Sequence, residues 1–74
     1  MMLSAYYVET STTGFATAAW AATTRKYAFD LAKALSIQLE KDRRYPNAFW
    51  VIDSRGRALA KWHKGKKYEP DATV

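Results

Sequence analysis

Phe49-Trp50-Val51-Ile52, then Asp53-Ser54-Arg55-Gly56, then Arg57-Ala58-Leu59-Ala60-Lys61-Trp62-His63: this stretch decides the fold. The residues from Ala48 to Ile52 are a compact β-type run rich in aromatic and β-branched side chains. The four that follow are turn formers. Arg57 to His63 returns with Ala58, Ala60 and Trp62 on one side and Leu59, Lys61 and His63 on the other, so the reading is a β-hairpin.

Just upstream, Pro46 in Arg43-Arg44-Tyr45-Pro46-Asn47 ends any helical reading. Before it, from Arg25 to about Lys41, the period is helical, and Thr23 and Thr24 are candidate N-caps. Tyr27, Ala28, Leu31, Ala34, Leu35 and Leu39 form one broad stripe, expected to pack on a sheet. Phe29, with Lys33 and Ile37, is expected on the outer side, where an apolar stripe would suit a partner or a second copy. Earlier still, Leu3 to Ser11 alternates, with Ala5, Tyr7 and Glu9 on one face and Tyr6, Val8 and Thr10 on the other. Thr12-Thr13-Gly14 is a turn, and Phe15 to Ala22 reads as a second strand. Its alanines favour helix, but the threonines, Trp20 and the position after a glycine turn favour a hairpin.

The resulting order is ββαββ. A helix between two hairpins packs economically as an α+β domain: a four-stranded antiparallel sheet with one helix on one face and the other face bare. The 74 residues, 1–74, are read as a single domain. From about Lys64 the chain is expected to continue as a short, basic, partly mobile tail. A chain this small buries only about 60% of its unfolded surface. It has no cysteine, so neither a disulfide nor a thiolate zinc site can help, and packing of its aromatic side chains must.

The charge is unevenly distributed. The net charge is +5, and Ser54 to Lys67 alone holds Arg55, Arg57, Lys61, Lys64, Lys66 and Lys67 with no acid. Such a block attracts polyanions or acidic protein surfaces, with an attraction that salt weakens. Trp62, His63 and Tyr68 interleave stacking groups with the cations, as phosphate recognition and protein hot spots both require. Arg43 and Arg44 form a second basic spot. The plain structural reading of these lysines is a guard against edge-to-edge aggregation.

Catalysis is not expected. His63 is the only imidazole, and Ser54 and Asp53, its potential partners, stand one hairpin away with no confirming motif. The acids are scattered singly, and the three glycines, at 14, 56 and 65, mark bends and make no phosphate loop. No cofactor or metal is expected, and His63 alone cannot make a metal cluster. Met1, Met2 and Leu3 lead directly into Ala5-Tyr6-Tyr7-Val8-Glu9 without a basic region or long apolar run, and Ala16 to Ala22 is too short to span a bilayer. The expected location is the cytoplasm, with no membrane partner.

Ala5-Tyr6-Tyr7-Val8-Glu9 at the start, the Val51 to Trp62 hairpin and the closing Gly65-Lys66-Lys67-Tyr68 resemble small phage anti-CRISPR proteins, in particular a type I-F inhibitor of ββαββ order. The resemblance covers about half of the chain. It implies a phage or prophage protein in a bacterial host that uses basic residues, here Lys61, Lys64, Lys66 and Lys67, to keep target nucleic acid from a CRISPR surveillance complex without chemistry of its own. The residues themselves leave two other expectations open: direct, weakly specific binding of DNA or RNA, or a structural subunit that homodimerises through the bare sheet face or the Phe29 and Ile37 stripe.

Overall fold

The computed structural model describes residues 5–12, 14 and 16–72. The expected strand starts at Leu3 and Phe15 and the turn residue Thr13 lie outside them. Five strands and one helix follow in the order β1 (Tyr6–Ser11), β2 (Thr17–Ala22), α1 (Arg25–Gln38), β3 (Phe49–Asp53), β4 (Ala58–His63) and β5 (Lys66–Tyr68). They form one antiparallel sheet ordered β2-β1-β3-β4-β5. The α+β class and the ββαββ core agree with the sequence, but the four-stranded count is corrected to five. Lys64 and Gly65 take positive φ of 54° and 81°, the geometry of a two-residue hairpin turn. That turn folds Lys66 to Tyr68 back onto β4 as a short edge strand where an irregular tail was expected.

The alternation in β1 is as read: Val8 and Thr10 are buried while Tyr7 is exposed. Thr10 satisfies its buried hydroxyl by donating to the Ala48 carbonyl at 3.0 Å. The core lies between the helix and one face of the sheet, built from Val8, Ala22, Ala28, Ala32, Phe49 and Val51. A triangle of Trp20, Tyr45 and Phe49, with ring centroids 6.0 to 6.3 Å apart, extends it under the loop after the helix, in the tilted arrangement aromatic quadrupoles favour.

The helix begins where expected. Thr24 is the cap, with extended φ and ψ and its hydroxyl accepting the Tyr27 N–H at 3.1 Å. It stops at Gln38, short of Lys41. Beyond it Asp42 accepts the Arg44 N–H at 2.9 Å, a local turn that competes with helical bonding ahead of Pro46. The buried stripe is Ala28, Ala32 and Ser36, turned relative to the expected one, so that Tyr27 is 55% exposed. Small residues let the helix approach a sheet already filled by Trp20, Phe49 and Trp62, and Leu31, Leu35 and Leu39 pack along its flanks. The same rotation corrects Phe29. It is half-buried against the core, and of the expected outer stripe only Lys33 and Ile37 are exposed. A second correction concerns β4. Val51 pairs with Ala60 but Ile52 with Ala58, a bulge that leaves Leu59 as the extra residue. Leu59 therefore joins the core side instead of sharing a face with Lys61.

Candidate functional site

The six cations between Ser54 and Lys67 do not make one patch, because β4 runs through the middle of them. Six extended residues span about 20 Å, so Arg55 and Arg57 lie at one end of β4 and Lys64 at the other. The same strand separates His63 from Ser54 and Asp53, so these three side chains are not brought together.

At the first end, Asp53 organises the turn. Its carboxylate accepts the Arg55 N–H and the Arg57 N–H, each at 2.9 Å, and the Arg57 Nε–H at 3.1 Å. These bonds, the Arg57 backbone N–H foremost, hold the Asp53 carboxyl below its ordinary pKa. Gly56 supplies the positive φ of 82° that the turn requires. Arg57 is thus tied to an acid, and Arg55 is the exposed, unpaired cation of this turn among the described residues.

Along the middle of β4, two residues expected at the contact surface turn inward. Lys61 is only 7% exposed. Its ammonium lies 4.9 Å from the Trp50 ring centroid and donates to the Ala72 carbonyl, so the segment after β5 folds back over it. Trp62, on the helix side, packs against the core. Its indole Nε1 is buried without a hydrogen-bond partner among the described residues. Lys61 therefore presents no free charge to a large partner, and Trp62 is a half-buried packing residue.

The remaining cations gather along β5 and its turn. Lys64, Lys66 and Lys67 are exposed and make no ion pair among the described residues. Period-two alternation sends the last two to opposite sides of the sheet. Lys66 lies 5.7 Å from the ring of half-buried Tyr68, and Lys67 lies 5.4 Å from the Phe29 ring on the helix side. Arg25, from the first turn of the helix, lies 5.3 Å from the same ring, and both distances are within cation–π reach. No sequence signal linked Arg25 to this edge, since only the docking of the helix brings it there.

The turn itself is pinned to the helix. Ser36 Oγ donates to the Lys33 carbonyl at 2.7 Å and accepts the Gly65 N–H at 2.9 Å. A shallow groove of about 180 Å³ beside it is lined by Ser36, Glu40, Tyr45, Asn47, His63 and Lys64 among others. Tyr45, Pro46 and Asn47, which follow Arg43 and Arg44, thus share this groove with His63 and Lys64 at the end of β4. Arg43 is exposed. Arg44 is engaged with Asp42 through two bonds at 3.1 and 2.8 Å and lies 5.4 Å from the Tyr45 ring. The pairing raises the Arg44 pKa and lowers that of Asp42, chiefly through their side-chain hydrogen bonds.

Among the described residues no group of three His, Cys, Asp or Glu side chains could hold a metal ion, and no helix is long and apolar enough to cross a membrane. No protein-family model, curated protein or solved structure matches this chain.

Proposed function

We propose that this protein is a non-enzymatic binding module of phage or prophage origin that keeps nucleic acid from a host nucleoprotein complex of the CRISPR surveillance type. The contact surface is the basic edge formed by Lys64, Lys66 and Lys67, extended by Arg25 and Arg43. The observation that carries the reading is that these exposed cations have no acidic partner among the described residues. Cations left unpaired along a rim are available to acidic groups of a channel built around phosphate, or to phosphate itself. Arg57, Arg44 and Lys61 are already engaged and contribute general field more than contacts. Trp62 is a packing residue in this reading, and His63 lines the groove at the margin of the surface.

The test is competition. A purified type I-F surveillance complex is mixed with target DNA and with the wild-type protein or its Lys64→Glu, Lys66→Glu, Lys67→Glu triple variant. The wild type is expected to suppress DNA binding by the complex and the variant to leave it intact, with circular dichroism of the two proteins unchanged. Equal suppression by both would remove the basic edge from the mechanism. If the wild type instead retards DNA on its own, with an affinity that falls steeply with salt, the edge binds phosphate directly.

A further inference from the structure

The opposite edge of the sheet has a different character. From Thr10 to Thr24 the chain contains no charged residue, and β2 lies within this run as the terminal strand of the sheet. Its pairing with β1 is continuous from Tyr6↔Ala22 to Ser11↔Thr17 without a bulge. Proline is absent from it. Lysine, proline, a bulge or a very short strand are the usual ways to blunt an edge, and β2 uses none of them, whereas the other edge is short and carries Lys66 and Lys67.

The hydrogen-bond phase of β2 can be worked out. Thr12 N–H donates to the Ala16 carbonyl at 2.9 Å, which marks 12 and 16 as a hydrogen-bonded pair. Antiparallel pairs alternate between bonded and non-bonded, so with the register of β1 and β2 the bonded residues of β2 are Ala18, Trp20 and Ala22. Thr17, Ala19 and Ala21 must then aim their N–H and C=O groups away from β1, at the edge. Their side chains are exposed as well.

From this arrangement we infer that β2 pairs antiparallel with β2 of a second copy about a two-fold axis at Ala19. The outward groups are symmetric about that residue. Ala19 would face Ala19 of the second copy, and Thr17 would face its Ala21. Every position that must bond then meets a position that must bond. On the helix side each half-buried Trp20 comes opposite the small Ala18 of the other copy, a large-to-small fit across a non-bonded pair. Copies that each carry +5 repel one another least where both are neutral. α1 packs on β3 and β4 more than on β2, which leaves the edge open. The resulting assembly closes at two copies, because only the lysine-bearing β5 edges remain at its ends. A 74-residue domain without cysteine is also the kind that gains from a second subunit. With strands about 4.8 Å apart, the two basic edges would stand roughly 43 Å from each other along a continuous ten-stranded sheet.

Sedimentation equilibrium of the full chain, from micromolar to millimolar protein, reads the association directly. The mass is expected to rise from 8.4 kDa to twice that value. Ala19→Pro removes an outward N–H without touching the β1 ladder, and Ala19→Lys sets two ammonium groups against each other across the axis. Each is expected to weaken dimerisation by about tenfold. If the proline variant fails to fold, the lysine variant reads the same constant through an exposed side chain. Hydrogen exchange adds the register: amides of Thr17, Ala19 and Ala21 should gain protection as concentration rises, while those of Ala18, Trp20 and Ala22 are protected throughout. A wild-type monomer over the whole range, an unaltered constant in both variants, or protection without this alternation would each overturn the inference.

Discussion

The two edges of the sheet solve different problems with different chemistry. β2 is neutral, alanine-rich and bulge-free, and it is anchored by a large side chain, Trp20, packed in tilted contact with Tyr45 and Phe49. β5 has three residues, two of them lysines, and none of its residues is fully buried. It is held instead by geometry: a turn with two positive φ values and a hydrogen bond from Gly65 to Ser36. Charge and anchoring are thus kept apart. The cations that stay exposed, Lys64, Lys66 and Lys67, contribute little to the core, so their surface can be altered without endangering the fold, whereas β2 cannot lose its anchor cheaply.

The largest effect should follow from breaking the β2 anchor. Trp20→Ala leaves a void beside Tyr45 and Phe49 and is expected to cost about 3 kcal/mol, read from urea unfolding. The lysine triple variant, by contrast, should change stability by no more than about 0.5 kcal/mol. If the two costs came out alike, the separation of charge from anchoring would be wrong.

Next comes the β5 anchor. A Cβ added to Gly65 would stand 2.8 Å from Ile37 Cγ1, and the backbone there has φ +81°, a conformation that side chains rarely adopt. Gly65→Ala is expected to cost about 2 kcal/mol through steric overlap and backbone strain. Gly56 has the same sign of φ but open space around it. Gly56→Ala should therefore be milder, at about 1 kcal/mol, and equal losses would show that the Ile37 contact is relieved by a side-chain shift.

Ser36→Ala sharpens the comparison further. It keeps the helix and removes the acceptor of the Gly65 N–H, leaving that donor half-buried and unpaired, for about 1 kcal/mol. Hydrogen exchange should show the amides of Lys66 to Tyr68 losing protection while β2 is unaffected. Uniform loss across the sheet would mean that β5 is not separately held.

Much of this was legible in the sequence, and the reasons for the rest are local. The alternation of Tyr6 to Thr10 and the Thr24 cap are direct consequences of period and side-chain chemistry, and both stand. β5 leaves no mark in the sequence because Lys66-Lys67-Tyr68 is too short to show alternation and has no apolar face. A bulge shifts phase without a sequence marker, so plain alternation puts Leu59 on the wrong side. A stripe centred on alanines can be displaced by less than one residue step and still look amphipathic, so the periodicity alone puts Phe29 outward. The basic segment looked continuous because sequence order hides the length of a strand. Arg55 and Lys64 are near in the chain and far apart in space, and the burial of Lys61 depends on where Ala72 comes to lie.

The smallest expected effect concerns the turn that the edges leave behind, where Asp53 holds Arg55 and Arg57. The bonds it accepts stabilise the ionised carboxylate in the folded protein, so its folded pKa lies below that of the unfolded chain, which is near 3.9 for an ordinary aspartate. The folded state then binds fewer protons than the unfolded state in that range. The stabilisation is fully present above the unfolded pKa and is lost as pH falls through the folded one. Asp53→Asn preserves the shape and an acceptor oxygen but cannot titrate. The variant is expected to be less stable than wild type at pH 7, and the gap should narrow in acid as the wild-type carboxyl takes up its proton. Thermal unfolding followed from neutral pH to below the folded pKa measures that gap. A gap independent of pH would mean that the Asp53 oxygens act through hydrogen-bond geometry alone, with no contribution from the charge set against Arg57.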